Sequence, residues 1–194
     1  MISLAEFEIA LRGLARLARF DAGFAGFFDL SREGAKRSFR LALWLLPVYL
    51  FLSHLNANWP DGTDMVRVVA AELICYALSW VAFPLLLLTL TGARLLDREG
   101  RVYGVIAVYN WLSVLGIGLQ LPIELVAYWG LDPGWHAALY YAVVLFIEAC
   151  AFFAFKRLLG VGIEIAAVLA LADLFLMQVI ITSLLASMAH APMF

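Results

Sequence analysis

Five stretches of this chain are long and apolar enough to cross a lipid bilayer, and this limits its fold more than any other feature. They cover about residues 39–55, 66–91, 104–128, 137–155 and 165–188. A helix needs ~20 largely apolar residues to traverse the hydrocarbon core. A backbone surrounded by lipid must satisfy its own N–H and C=O groups, which favours helices for stretches of this length. With 65% of its residues apolar or aromatic and 14% charged, the chain could not hide its apolar surface in a water-soluble fold. The expected architecture is all-α: an integral membrane bundle of five transmembrane helices over residues 31–194, preceded by a separate segment, residues 1–30. The shortest span gains reach from Ser38 and Arg40, which can snorkel at its base.

The connections carry turn formers: Asn56-Ala-Asn-Trp-Pro-Asp-Gly, Asp97-Arg-Glu-Gly, Leu131-Asp-Pro-Gly-Trp and Gly160-Val-Gly. Pro47, Pro84 and Pro122 fall inside spans, where a membrane helix tolerates them as kinks. Trp59, Trp129 and Trp135 stand at span ends, as an aromatic belt requires. Ser31-Arg-Glu-Gly echoes Asp97-Arg-Glu-Gly, and the pair reads as a shared helix-start turn. Gly100 and Gly104 form a lone GxxxG that favours close helix packing.

Cations set the orientation, because Lys and Arg accumulate in cytoplasmic loops. Arg12, Arg16, Arg19, Arg32, Lys36, Arg37 and Arg40 precede or open the first span. Arg94, Arg98 and Arg101 lie between spans two and three, and Lys156 and Arg157 between four and five. Only Arg67 falls on the other side, so twelve of thirteen cations share one side when five spans are drawn. The expectation is a multi-pass protein of a bacterial inner membrane, with the N-terminus cytoplasmic and the C-terminus periplasmic. The opening Met-Ile-Ser-Leu-Ala-Glu-Phe-Glu lacks the basic and apolar regions of a signal peptide, so these residues are expected to be retained.

Residues 1–30 have their own signature. Ser3 and Glu6 fit a capping box. Leu4, Phe7, Leu11 and Leu14 recur at helical spacing, and Arg12, Arg16 and Arg19 occupy another face. Two placements fit an amphipathic helix of this kind. It can lie at the membrane surface with its arginines toward anionic head groups, or pack on the protein's own cytoplasmic face; a partner-binding helix is a third option. Phe20, Phe24, Phe27 and Phe28, spaced by Gly23 and Gly26, are expected to extend the interfacial contact.

Ionisable groups inside a membrane are costly, so each is a candidate site. Glu72, Glu124, Glu148 and Asp173 qualify. At about 100° per residue, Tyr103, Asn110, Ser113, Gln120, Glu124 and Tyr128 fall within an arc of roughly 100° on the third span. The second span adds Glu72, Tyr76 and Ser79; the fourth adds Tyr141 and Glu148, and the fifth Asp173, Gln178 and Thr182. Glu148 and Asp173 are expected deepest, with Glu72 and Glu124 toward the outer leaflet and Arg67 within reach of either of the latter. This polar track supports two readings, a proton or cation path or a polar fastening between helices. His54, His136 and His190 fall near outer span ends without an HxxxH or HExxH pair, so no metal is expected. Cys75 and Cys150 read as small buried hydrophobes. No Walker loop, GxSxG, HExxH or CxxC occurs, and no cofactor or nucleic-acid partner is implied.

The layout of a cytoplasmic N-terminal segment, five closely spaced helices and an external C-terminus resembles Yip1-type membrane proteins, over about residues 32–190. Phe28-Asp-Leu-Ser-Arg-Glu-Gly and the Pro47 that follows are similar to stretches in small alphaproteobacterial membrane proteins. The resemblance implies a fold and, by analogy with eukaryotic members, a membrane scaffold. The leading expectation is a non-enzymatic scaffold, interaction protein or accessory subunit, meeting the bilayer and a protein partner or second copy through its helices or residues 1–30. The alternative is a small proton- or cation-coupled transporter or channel using the intramembrane acids.

Overall fold

A computed structural model describes residues 2–55, 64–92 and 99–189. The described residues are helical, with no strand among them: α1 (Leu4–Leu17), a 3-10 turn (Ala22–Phe27), α2 (Arg32–Ser38), α3 (Arg40–Leu55), α4 (Met65–Gly92), α5 (Glu99–Tyr128), α6 (Pro133–Leu159) and α7 (Ile163–Ala189). Five helical stretches are long and apolar enough to cross a membrane, α2 and α3 together making the first. The spans run past the stretches read from hydropathy because capping residues lie outside them. Ser31 accepts from the Gly34 amide at 3.1 Å, which starts a helix eight residues before position 39. Asp132 accepts from the Gly134 and Trp135 amides at 2.9 and 3.3 Å, with Pro133 in the first turn. Gly160 ends α6 in the left-handed region at φ 65°, and Arg101 donates to the freed Leu159 carbonyl at 3.2 Å. At ~1.5 Å per residue, the 27 to 30 residues of α4 to α7 reach beyond a ~30 Å core.

Helix α5 is the axis of the bundle. It touches α1, α2, α3, α4 and α6, whereas α7 packs on α4 and α6. Half of its most apolar window is buried, against 11–28% in the other four spans. Those four therefore turn most of their apolar surface outward, as Leu85 of α4 and Leu171 and Phe175 of α7 illustrate. Such a surface suits contact with lipid.

Residues 2–30 are built into the same core. Ser3 caps α1 by accepting from the Glu6 amide at 3.1 Å. Ala10, Gly13, Leu14 and Leu17 then face the bundle. Phe7 meets Trp111 and Trp44 at ring distances of 5.8 and 6.4 Å. Phe24 is fully buried against Phe153, and Phe28 packs on Trp111. These two rings lie against protein rather than at an open interface, because α5 and α6 supply aromatic partners. Gly13 permits the approach, since a Cβ there would stand 2.7 Å from Phe27 Cβ and from the Phe28 ring. Gly104 likewise admits Leu30, whose Cβ would lie 3.1 Å from an added Cβ; at Gly100 nothing approaches among the described residues.

The chain reverses after α1 through Phe20, which adopts φ 55°, a costly conformation for a side-chain-bearing residue. Its amide donates to the Leu17 carbonyl at 2.8 Å and that of Asp21 to the Arg16 carbonyl at 3.0 Å, closing the helix as a glycine normally would. The Phe20 ring is held edge-on to Phe153 and Phe146 at 5.7 and 6.4 Å. Farther on, Arg37 joins Asp29 at 2.6 Å and Glu6 at 3.6 Å, tying α2 to the start of α1. Ser31 hydrogen bonds and the Arg37 charge hold the Asp29 carboxyl below its ordinary range.

Candidate functional site

The acids and amides of the spans gather into three clusters along the bundle. Nearest the N-terminal arm, Asn110 of α5 is wholly buried and donates to Ser38 Oγ at 2.9 Å. Ser38 in turn donates to the Ala35 carbonyl at 2.7 Å, where α2 passes into α3. A serine hydroxyl there can serve both neighbours because it donates once and accepts twice. Asn110 Oδ1 has no partner among the described residues.

The central cluster joins α5, α6 and α7. Tyr109 donates to Asp173 Oδ1 at 2.7 Å, and Asp173 is only 3% exposed. The Glu148 carboxyl lies beside that of Asp173, and its Oε2 is buried without a partner among the described residues. Between two neighbouring carboxyls only a protonated one can donate, since an anion carries no proton. Phe83 closes the cluster from α4, its ring 4.8 Å from Tyr109 and 5.1 Å from Phe155. Counted along α5, Tyr109 is ten residues from Glu99 and nineteen from Tyr128. That is about 15 Å from one end and about 28 Å from the other.

The third cluster lies at the end away from the arm. Glu72 of α4 is 4% exposed and sits 3.5 Å from Ser53 Oγ and 3.6 Å from His54 Nδ1 of α3. These are long contacts, an electrostatic pairing more than a tight hydrogen bond. Glu124 Oε1 of α5 meets His136 Nε2 of α6 at 3.0 Å. Between them Tyr49, Leu52, Ser53, Ile117, Gln120, Glu124 and Tyr140 line an open groove of about 340 Å³. Tyr76 stands behind it, stacked 4.7 Å from Tyr49 and donating to the Ala42 carbonyl at 2.6 Å.

The structure thus divides the residues singled out from the sequence. Asn110 joins the first cluster, Glu148 and Asp173 the second, and Glu72, Tyr76, Gln120 and Glu124 the third. Ser113 is half-buried and Gln178 exposed, and neither makes a side-chain hydrogen bond to any cluster among the described residues. Arg67, expected near Glu72 or Glu124, pairs instead with Asp64 at 3.2 Å, because Asp64 is only three residues away beside the first turn of α4. Trp129 and Trp135 are 77% and 66% exposed at the α5–α6 turn. Trp59, Asp61, Arg94, Asp97, Arg98 and His190 lie outside the described residues. Periodicity missed Tyr109, Tyr49, Tyr140, Ser38 and Ser53. Each carries a hydroxyl and takes its place in a cluster or groove built from several helices, invisible to a pattern read along one helix. His54 and His136 carried a signal, since each stands at a span end neighbouring a span with an acid near the same end.

On the arm, Arg12 pairs with Glu8 at 2.6 Å, and Arg16 with Asp21 at 3.2 Å while lying 5.1 Å over the Phe27 ring. Arg19 is exposed and has no ion-pair partner among the described residues. No group of three metal-ligating side chains occurs among the described residues. No family model matches the chain, and neither the curated proteins nor the solved structures provide a match.

Proposed function

We propose that this chain is a non-enzymatic scaffold or accessory subunit of a bacterial inner-membrane complex, with its N-terminal arm on the cytoplasmic side as the interaction face. One observation carries the reading: the arm is a folded surface. Ala10, Leu14, Leu17 and Phe24 are buried against the bundle while Arg12, Arg16 and Arg19 point away from it. A surface held rigid pays little ordering entropy on binding. Leu4 and Leu11, seven residues apart and exposed, share one flank of α1. Exposed Leu43 and Trp44 of α3 lie in the neighbouring turns, Trp44 against Phe7. An apolar flank there suits the head-group boundary, where arginines reach anionic lipid. The cation distribution supports a cytoplasmic N-terminus and periplasmic C-terminus, and the five-span layout keeps the likeness to Yip1-type proteins in play. The acids fit this reading as fasteners: Tyr109–Asp173, Asn110–Ser38 and Glu124–His136 each bridge separate helices.

Removing residues 1–30 would uncover the core, so the test uses Arg12→Gln with Arg19→Gln. The full chain and this variant are purified from native membranes in mild detergent and their co-purifying proteins compared. A stoichiometric partner lost from the variant is the expected result; an identical profile refutes the arm as interaction face. Reporter fusions at both termini check the orientation. The unpartnered Glu148 Oε2 favours a second reading, proton- or cation-coupled transport. It requires pH-dependent flux in proteoliposomes that Glu148→Gln or Asp173→Asn abolishes.

A further inference from the structure

We infer that the groove between α3, α5 and α6 is a binding site for an ammonium group, carried either by a free amine or by a lipid head group. The inference does not depend on the scaffold reading. The groove's walls come from three spans, so it is a fixed feature of the bundle rather than of a loop. About 340 Å³ is ample for a small organic cation. Its chemistry is of one kind. Tyr49 and Tyr140 supply aromatic walls from α3 and α6, and Gln120 and Ser53 supply neutral polar atoms. Glu124 lies on the wall, held at 3.0 Å by His136 and within electrostatic range of Tyr140. Glu72 stands behind Tyr49 and acts on it electrostatically. No Lys or Arg is among the lining residues. Aromatic faces with a nearby carboxylate attract a cation with an apolar periphery, since the ring quadrupole and the anion act together. Among the described lining residues an anionic ligand would meet the Glu124 carboxyl and no Lys or Arg.

The depth suits both sources of the group. Gln120 and Glu124 are eight and four residues from the end of α5, about 12 and 6 Å along the helix. The exposed Trp129 and Trp135 beyond that end occupy the position of an interfacial belt. The groove therefore opens at head-group depth, reachable from lipid and from water.

The test measures binding of choline, ethanolamine and phenethylamine to the full chain in detergent by calorimetry. 3,3-Dimethylbutan-1-ol serves as the uncharged isostere of choline. At least one amine should bind saturably and the isostere at least tenfold more weakly. Glu124→Gln should weaken the amine about tenfold, and Tyr140→Leu should lower it independently, a cation over a ring being worth about 0.5–2 kcal/mol. Lys36→Gln, exposed on α2 and outside the groove, should leave binding unchanged and serves as the folding control. The same titration in nanodiscs separates the sources. A head group as natural occupant predicts that phosphatidylethanolamine discs suppress amine binding relative to phosphatidylglycerol discs; equal binding in both assigns a soluble amine. The proposal is overturned if no amine binds, if the isostere binds as well as choline, or if Glu124→Gln and Tyr140→Leu both leave the affinity unchanged.

Discussion

Removing the Tyr109 hydroxyl tests how the central cluster holds α5, α6 and α7 together. Tyr109→Phe keeps the ring against Phe83 and Phe155 and deletes only the 2.7 Å hydrogen bond to Asp173. In water-soluble proteins, leaving a buried acceptor unpartnered costs about 1–3 kcal/mol. Interhelical hydrogen bonds in membranes measure lower, averaging ~0.6 and reaching ~1.7 kcal/mol. Asp173 is 3% exposed and has no water to turn to, which places it toward the upper part of that range. The Glu148 carboxyl remains beside it and can supply a proton, which pulls the figure down. The expected loss is therefore about 1 kcal/mol for Tyr109→Phe alone. Glu148→Leu removes the other donor while also removing the burial of an unpartnered oxygen, so alone it should cost less. With both changes Asp173 has no donor, and the double variant should lose about 1 kcal/mol more than the sum of the single losses. The assay is reversible unfolding by dodecyl sulfate in mixed micelles, followed by ellipticity. Additivity within ~0.3–0.5 kcal/mol would refute a shared donor set.

Three further outcomes follow from the arm. Gly13→Val should cost about 1–3 kcal/mol through overpacking against Phe27 and Phe28, and should raise proteolysis before residue 30 while the spans stay protected. Phe20→Gly relieves a left-handed backbone worth about 1 kcal/mol but loses two edge contacts of ~0.5–1.5 kcal/mol each. The net effect is destabilising, visible as faster amide exchange through α1. The Asp29 carboxyl titrates below its unfolded value, so its contribution is full above about pH 4 and is lost as pH falls through the lower folded value. Protection of the Ser31 amide, which donates to Asp29 at 3.0 Å, should fall as the pH drops below about 4, and Asp29→Asn should remove that dependence.

The spans were legible because hydropathy depends on one segment at a time. The Ser3 cap, the Ser31 turn and the break at Gly160 were legible for the same reason, being settled within four residues. What the sequence withheld are relations between segments. The polar arc on α5 is real as a pattern, yet Asn110 meets α2, Glu124 meets α6 and Ser113 meets no cluster, because α5 is surrounded and its faces have different neighbours. Tyr109, the residue that joins Asp173, falls about 20° beyond the Gln120 edge of that arc, and its partner stands on α7. The two open placements of α1 could not be separated by its own spacing either. The placement of Phe7 and Leu17 depends on Trp111 of α5 and Cys150 of α6, more than a hundred residues downstream.

The central position of α5 has a consequence in time. A ribosome makes the arm first, but Leu17 contacts Cys150, which is 133 residues away, and Ser38 waits 72 residues for Asn110. At roughly 5–20 residues per second, α1 spends some 7–27 s of its synthesis with no α6 to pack on. Throughout that interval the nascent chain carries this basic, phenylalanine-rich segment without its packing partners, its apolar face open to insertion machinery or lipid.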